Sequence, residues 1–339
     1  MRIALDAMGT DRHPAVEVEG AVQALGEVPG DFELILVGDR GQIEAELARY
    51  PYPTDRIRIA HASQVIQPGE PAVTAVRRKA DSSIVVGLKL QQKGEADAFV
   101  SAGSTGAVMS ASLFLLRPLP GVARPAIGTI LPTTVQPCLL IDAGANVDCK
   151  PHQLVQFARL GAIYVEDVWK RGNPRVGLLN IGEEPEKGDE LAVETHRLLE
   201  ASDLNFVGNI EGRDVIRGSC DVLVADGFVG NVLLKFYESV MGFIHGWLTT
   251  ELADAAADLD RLFRTFDYTE YGGAPLLGVN GVSIICHGGS PPRAVCNAIR
   301  VAIQAVEARV VGHIARAVAH DDEDTSAGAA TPSANAEDA

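Results

Sequence analysis

Two side chains beside glycine-rich turns have the chemistry to stabilise a developing negative charge. Lys187 lies in the segment NIGEEPEKGDE, and Asn231 ends the segment DGFVGN. A cationic ammonium group and an amide donor suit an anion or the oxyanion of a carbonyl under attack, and they suit proton abstraction poorly. The sequence therefore predicts group transfer to or from a small anion. For Lys187, an ordinary solvated loop charge is an equal alternative.

The stretch Asp221 to Lys235 shows most fully how such a turn is built. Val222 to Ala225 is a short apolar run typical of a strand buried on both faces. Helical spacing begins at Asn231, which is the predicted N-cap. We call a strand that runs into a glycine turn and a helix a glycine corner. Because such a corner gathers unpaired backbone N–H groups and the positive end of a helix dipole, we expect it to hold an anion.

Five more glycine corners begin near Ile3, Ala98, Cys138, Val176 and Asn205. Since the carboxyl ends of parallel strands share one edge of a sheet, several such corners predict a pocket there. The residues that we expect to bind the substrate or phosphate are Asp6, Gly9, Ser101, Gly103, Ser104, Thr105, Gly106, Asn146, Asn180, Gly188, Asn209, Asp226, Gly227 and Gly230.

Several common motifs are absent from the sequence. There is no P-loop, no G-x-G-x-x-G after the first strand and no G-x-S-x-G elbow. Strand-end aspartates such as Asp142 and Asp226 more often cap turns than gather Mg²⁺, so we expect neither metal nor cofactor. Cys149 lies three residues before His152, but a thiol beside a helix start is more often inert than nucleophilic.

Composition narrows the class of protein further. The 339 residues carry a formal net charge of −16, which weighs against nucleic acid as a partner. Five cysteines without a C-x-x-C pair indicate free thiols in a reducing compartment. Met1 leads directly into a strand without a signal peptide, and no apolar run approaches the roughly twenty residues of a membrane span. We therefore expect a cytoplasmic protein.

The aromatic residues are concentrated in one segment. Eight of the eighteen lie between Phe236 and Tyr271. Residues 236–268 have helical apolar spacing and predict a protruding amphipathic hairpin that bends near residues 253–258. It would serve as a core or dimer-interface element, as a membrane or acyl-chain contact, or as both. The residues expected at the membrane or dimer contact are Ile244, Trp247, Leu248, Leu252, Leu259 and Phe263.

Strands and helices alternate through the chain without a linker. This order predicts a single α/β domain over residues 1–319, a Rossmann-like α/β/α sandwich around a mostly parallel sheet. Pro292 to Ala319 reads as one closing helix. Residues 320–339 are rich in Asp, Ala, Ser, Gly and Thr, and we expect a disordered acidic tail there.

Eight blocks in order carry a family resemblance: DAMGTD, SAGSTGA, ARPAIGTILP, DAGANVDCKPHQLVQFA, VGLLNIGEEPEKGDEL, NFVGNIEGRD, DGFVGNVLLK and YGGAPLLGVNG. The chain closely resembles the bacterial phosphate acyltransferase family, PlsX. The resemblance implies a homodimer with a fold related to phosphate acetyltransferases and isocitrate-type dehydrogenases. It also implies transfer of a fatty acyl group from acyl carrier protein to inorganic phosphate, giving acyl phosphate for phospholipid synthesis.

By this resemblance, phosphate attacks the thioester directly while Lys187 and Asn231 stabilise the charge that forms. The family also implies peripheral contact with the inner face of the cell membrane, with the downstream glycerol-phosphate acyltransferase as a further partner. Thr10 stands where the family usually has glycine, and Ser104 where it often has asparagine. The alternatives are an acyl-CoA-dependent phosphate acyltransferase, a metal- and NAD(P)-dependent dehydrogenase of the related fold, and a non-enzymatic lipid-binding scaffold.

Overall fold

A computed structural model of the chain describes residues 1–251 and 268–328. The strands are β1 Arg2–Asp6, β2 Glu33–Gly38, β3 Ile57–His61, β4 Ala98–Ser101, β5 Ala126–Leu131, β6 Cys138–Ile141, β7 Val176–Asn180, β8 Phe206–Glu211, β9 Val222–Val224, β10 Ala274–Leu277 and β11 Val282–Ile285. The helices are α1 Ala15–Glu27, α2 Arg40–Leu47, α3 Ala72–Arg78, α4 Ser83–Gln92, α5 Thr105–Leu115, α6 Pro151–Trp169, α7 Glu190–Glu200, α8 Gly212–Val215, α9 Gly227–Glu251, α10 Tyr268–Tyr271, α11 Pro292–Glu307 and α12 Val310–Gly328.

All of these strands belong to one sheet in the order β3-β2-β1-β4-β11-β10-β5-β6-β9-β7-β8. The first five strands in that order pair in parallel, as do the last four. Between the two parallel blocks, β10 pairs antiparallel with β11 and β5, and β5 pairs antiparallel with β6. The predicted mostly parallel sheet is therefore confirmed, and its two blocks run in opposite directions.

Helices cover both faces of the sheet, because the apolar side chains on each face of a buried strand need a covering layer. In β1, Ile3 and Leu5 pack with α1 and α11, while Ala4 packs on the opposite face with α4 and α5. In the second block, Leu139 of β6 packs against α6, and its neighbour Leu140 belongs to the core on the other face. Because successive side chains of a strand alternate between faces, this distribution makes the α/β/α sandwich that we predicted.

Three helix boundaries differ from the sequence predictions. Helix α9 begins at Gly227, so Asn231 lies inside it and is not its N-cap. The predicted closing helix is two helices, because Arg309 adopts a left-handed φ of 55° between α11 and α12. Helix α12 then continues through residues 320–328, where we expected disorder, since extending a formed helix costs far less than starting one.

The predicted bend of the hairpin lies in residues 252–267, outside the described residues, as does the tail from residue 329. Within the described ranges, no helix combines the length and the apolar character that crossing a membrane requires.

Candidate active site

The carboxyl ends of β1, β4 and β11 open on one cavity of about 450 Å³, which we call the β1–β4 cavity. It is lined by residues 8–11, 13, 65–68, 102–105 and 286–289. These strands are parallel neighbours in the sheet, so their ends lie side by side. The corners DAMGTD and SAGSTG therefore meet, and predicted residues Gly9, Gly103, Ser104 and Thr105 all line this cavity.

Two of the predicted binding residues hold these corners together from below. The buried carboxylate of Asp6 accepts hydrogen bonds from Ser101 Oγ at 2.7 Å and from Met8 N at 3.0 Å. Ser101 Oγ accepts a bond from Gly103 N at 3.0 Å. Burial raises the pKa of Asp6, and the hydrogen bonds oppose that rise. A Cβ on Gly9 would lie 2.6 Å from Gly103 N, so the close approach of the two corners requires glycine at this position.

Thr10 anchors the first corner to helix α1. Its backbone N–H donates to Glu17 Oε1 at 2.6 Å, and its hydroxyl donates to Glu17 Oε2 at 3.0 Å. Glu17 is fully buried, and burial raises its pKa to about 7. Thr10 therefore satisfies both oxygens of a buried carboxyl group, one through its backbone N–H and one through its hydroxyl.

The N-terminus of α5 faces the β1–β4 cavity through Ser104 and Thr105. Ala107 N and Val108 N both donate to Ser104 O, and the Ser104 side chain does not cap the helix. Within the described part of the chain, the backbone N–H groups of Thr105 and Gly106 have no hydrogen-bond partner. This terminus therefore offers free donors and the positive end of a helix dipole to an anion.

A second cavity of about 330 Å³, the β5–α9 cavity, lies between β5, α9 and residues 271–274. Ile127 and Ile130 of β5 and Leu234 of α9 give it an apolar wall. Asn231 lines it as well, as does Lys235, whose ammonium group pairs with Glu238 at 3.0 Å. The two cavities share Thr105, Cys286 and His287, so they meet where α5 begins and β11 ends.

The corner between β9 and α9 lacks the unpaired N–H groups that we expected there. Gly227 N donates to Asn146 O at 2.7 Å, and Gly230 N donates to Asp226 O. Phe228 N and Val229 N both donate to Asp226 Oδ1, which makes Asp226 the cap of α9. The expectation is wrong because this corner satisfies its donors within the protein.

Glycine at 227 and 230 is instead required by packing. A Cβ at Gly230 would lie 2.0 Å from the carbonyl oxygen of Asp142, and one at Gly227 would lie 2.7 Å from Asn146 O. The loop that they touch is organised by Asp142, whose carboxylate accepts bonds from Ile127 N, Ala145 N and Asn146 N. Asn146 therefore braces this loop, and its side-chain amide donates to the carbonyl oxygen of Pro125. Burial raises the pKa of Asp142.

Lys187 lies in a separate loop between β7 and α7. Asn180 Nδ2 donates to Lys187 O at 2.9 Å, and Asn209 Nδ2 donates to Glu184 O at 2.8 Å. Gly188 adopts a φ of +99°, and a Cβ there would lie 2.7 Å from Asn180 Oδ1. These residues hold the loop, and none of Asn180, Lys187, Gly188 and Asn209 lines either cavity. The structure therefore places Asn231 at the β5–α9 cavity and Lys187 in a loop that lines neither cavity.

Sequence reasoning missed the corner CHGGS, which follows β11 and supplies Cys286 and His287 to both cavities. Its signal was present, because an apolar strand running into glycine and polar residues is the pattern of the other corners. His13 and Lys235 were missed as well. Their positions beside a corner and one helical turn beyond Asn231 would have indicated them.

The remaining predicted groups lie away from the junction of the cavities. Cys149 Sγ donates to Asn146 O at 3.3 Å, and burial raises its pKa to about 11. Among described residues, no group of three or more His, Cys, Asp and Glu side chains is placed to hold a metal. On α9, Ile244 and Leu248 are half-buried, whereas Trp247 is 56% exposed. Leu252, Leu259 and Phe263 lie outside the described residues.

Solved structures with this arrangement of sheet and helices define the class of fold. A phosphotransacetylase from Streptococcus pyogenes matches with a TM-score of 0.60 and 17% sequence identity, over 91% of this chain and 94% of that chain. The EutD phosphotransacetylase from Staphylococcus aureus matches with a TM-score of 0.58 and 16% identity, over 90% and 94%. A putative 4-hydroxythreonine-4-phosphate dehydrogenase from Salmonella typhimurium gives a TM-score of 0.53 at 13% identity, over 89% and 98%. The fold is thus the α/β fold that phosphotransacetylases share with dehydrogenase-like proteins.

The family follows from the sequence comparisons. The family profile described as "Fatty acid synthesis protein" matches residues 1–313. A phosphate acyltransferase from Halothermothrix orenii is 47% identical over 335 residues, covering 95% of this chain and 100% of the relative. One from Heliobacterium modesticaldum is 48% identical over 325 residues, covering 93% and 96%. The chain belongs to this family of fatty acid synthesis proteins, and it is an enzyme of the phosphate acyltransferase type. The predicted resemblance is confirmed, and the dehydrogenase and scaffold alternatives are set aside.

Proposed function

We propose that this enzyme transfers a fatty acyl group from acyl carrier protein to inorganic phosphate, giving acyl phosphate for phospholipid synthesis. One observation carries the proposal. A cavity with free backbone donors and a cavity with an apolar wall meet at Thr105, Cys286 and His287. A reaction that joins a small anion to an acyl group needs such a junction, because each reactant occupies its own chemical environment and both reach the same point.

Phosphate is assigned to the β1–β4 cavity. The free N–H groups of Thr105 and Gly106 and the dipole of α5 favour an anion there. The N-terminus of α9 does not compete for this role, because its N–H groups are already paired within the protein. Phosphate at α5 lies beside the junction and can reach a carbonyl placed in the second cavity.

The acyl thioester is assigned to the β5–α9 cavity, with its chain against Ile127, Ile130 and Leu234. A phosphate oxygen forms the new C–O bond, and the C–S bond breaks as the carrier leaves. Asn231 is the proposed donor to the oxyanion, and Lys187 the proposed second donor. Because Lys187 lines neither cavity, its contribution has to come from a movement of its loop or from the second subunit of the proposed homodimer.

The surface beside α5 suits an acidic carrier protein. No acidic residue occurs in residues 98–141, although the chain as a whole carries a net charge of −16. Exposed Arg77 of α3 lies over the ring of Phe114 of α5, 5.1 Å from its centroid, and Arg78 is exposed beside it. Helix α5 has 11 residues and spans about 16 Å, with Thr105 at its cavity end. A carrier bound at Arg77 and Phe114 would therefore need a flexible arm of about that length to bring its thioester to the junction.

The exposed face of α9 fits the proposed homodimer and membrane contact. Phe236, Phe243 and Trp247 are 67%, 72% and 56% exposed. They recur at seven- and four-residue steps, so they share one face of the helix. A stripe of this kind buries its apolar surface either against a second copy or at the inner membrane surface.

The test is to mix EDTA-treated protein with acyl carrier protein thioester and phosphate, and to measure free carrier protein and hydroxylamine-trapped acyl phosphate. We expect release that depends on phosphate and needs neither Mg²⁺ nor nucleotide. A parallel reaction with acyl-CoA distinguishes the carrier. Release without phosphate, or release restored only by Mg²⁺, would contradict the proposal.

Alanine at position 231 or 187 tests the proposed donors in the same assay. Asn231→Ala and Lys187→Ala should each lower turnover about a hundredfold, the usual scale for loss of one oxyanion donor. Lys93→Ala, at an exposed position after α4, is the matched control and should retain activity. Near-normal turnover of either test variant would remove that residue from the proposed mechanism.

A further inference from the structure

Two histidines line the β1–β4 cavity, and their hydrogen bonds place the ring proton of each on a different nitrogen. His13 Nδ1 lies 2.8 Å from the carbonyl oxygen of Thr10. A carbonyl oxygen only accepts hydrogen bonds, so His13 Nδ1 carries a proton. In the neutral ring the other nitrogen, Nε2, is then a hydrogen-bond acceptor.

His287 is held in the opposite tautomer. The backbone N–H of Gly289 donates to His287 Nδ1 at 3.1 Å, so Nδ1 is the acceptor. The proton of the neutral ring is therefore on Nε2, which is a donor. His287 also lies at the junction, since it lines both cavities. Across the described ranges, neither His13 Nε2 nor His287 Nε2 has a hydrogen-bond partner in the protein.

One donor and one acceptor match the chemistry of hydrogen phosphate, which has unprotonated oxygens and a hydroxyl group. We propose that His287 Nε2–H donates to an unprotonated oxygen of this anion while His13 Nε2 accepts its hydroxyl proton. The inference rests on the proposed placement of phosphate in the β1–β4 cavity. It makes the cavity selective, because sulfate has the same tetrahedral shape but no proton to donate to His13.

His13 also gives the proton that phosphate loses in the reaction a path to the leaving sulfur. Hydrogen phosphate and a thioester become an acyl phosphate dianion and a thiol, so one proton must pass from the nucleophile to the leaving sulfur. As the C–O bond forms, the phosphate proton moves to His13 Nε2. It then passes to the thiolate released when the C–S bond breaks. His287 keeps its proton throughout and holds the phosphate at the junction.

The tautomers are tested first, on the wild-type protein labelled with ¹⁵N and without substrate. Two-bond ¹H–¹⁵N correlation spectra separate the two neutral tautomers of histidine. In the spectra of the neutral rings, we expect the proton of His13 on Nδ1 and the proton of His287 on Nε2. The reverse assignment for either ring would overturn the inference without any measurement of activity.

Anion selectivity is tested by calorimetry with inorganic phosphate and with sulfate. His13→Ala should weaken phosphate binding about tenfold or more, the usual scale for a hydrogen bond to a charged group, and leave sulfate binding unchanged. His287→Ala should weaken the binding of both anions by a similar factor. His152→Ala, at an exposed position in α6, is the matched control and should match wild type for both anions.

The outcomes separate this inference from the proposed function. If the protein transfers acyl groups to phosphate but His13→Ala keeps the wild-type preference for phosphate over sulfate, the inference fails and the function stands. If the His13 and His287 variants change anion binding as expected but no acyl carrier protein is released, the proposed function fails and the inference stands. If wild type does not bind phosphate, both are overturned.

Discussion

The substitution Gly230→Ala tests how the site is assembled. Its Cβ would lie 2.0 Å from the carbonyl oxygen of Asp142, and contact becomes ordinary only at 3.4 Å. Helix α9 would therefore have to retreat by the difference, 3.4 − 2.0 = 1.4 Å, from a loop held by a buried carboxylate. Overpacking of this kind costs about 1–3 kcal/mol. The better helix propensity of alanine returns up to about 1 kcal/mol, so we expect the free energy of unfolding to fall by about 1–2 kcal/mol.

The same helix supplies the control. Gly242 is exposed, and a Cβ there meets nothing within 4 Å, so Gly242→Ala should raise the free energy of unfolding by up to about 1 kcal/mol. Urea denaturation measures both variants against wild type. Turnover should fall in Gly230→Ala, because α9 carries Asn231 into the β5–α9 cavity, and should be unchanged in Gly242→Ala. The reasoning is refuted if Gly230→Ala unfolds within about 0.5 kcal/mol of wild type, the range expected of a neutral surface change.

Four further predictions follow from individual contacts. Burial raises the pKa of Glu17 from 4.5 to about 7, so the folded protein retains a proton that the unfolded chain releases, and stability falls as the pH rises through this window by up to about 3 kcal/mol. Glu17→Gln should remove that slope in urea titrations from pH 4.5 to 8, and an unchanged slope would contradict the assignment. Cys149→Ser should retain most activity, because burial raises the thiol pKa to about 11 and keeps it protonated, whereas an isolable acyl-enzyme on Cys149 would overturn direct attack. Arg77→Glu should raise the KM for acyl carrier protein but not the KM for phosphate. The control Arg316→Glu, at an exposed position on α12, should change neither KM. If both substitutions raise the KM for acyl carrier protein equally, the surface of Arg77 and Phe114 has no docking role. Trp247→Glu should convert the proposed dimer to monomers in sedimentation velocity. If the variant stays dimeric but no longer binds liposomes, the exposed face of α9 that carries Trp247 contacts the membrane instead.

Some of the site was predictable from local sequence alone. Apolar runs such as Val222–Val224 identify buried strands, and a glycine turn after each strand marks where the chain changes direction. Gly9, Gly103 and Thr105 were found in this way, and all three line the β1–β4 cavity. The corner after β11 follows the same rule, so His287 was within reach of sequence reasoning.

Local sequence could not predict whether a given glycine corner faces a cavity or packs against another loop. Gly227 and Gly9 follow strands in similar patterns, yet Gly227 packs against Asn146 while Gly9 lines a cavity. The backbone N–H groups at the start of α9 donate to Asp226 and Asn146, whereas the N–H groups of Thr105 and Gly106 at the start of α5 have no partner among the described residues. The difference depends on which loop lies opposite each helix, and only the packed structure decides it.

The sequence by itself determined the elements, the mostly parallel sheet and the family, because side-chain periodicity, turn chemistry and motif order are written along the chain. The tertiary structure decided which side chains share a site. The antiparallel strands β10 and β5 reverse the second half of the sheet, and α9 then carries Asn231 to the β5–α9 cavity, whereas the loop of Lys187 lines neither cavity. The tautomers of His13 and His287 were decided in the same way, because each depends on a backbone group only two or three residues away, whose position the fold of its corner sets.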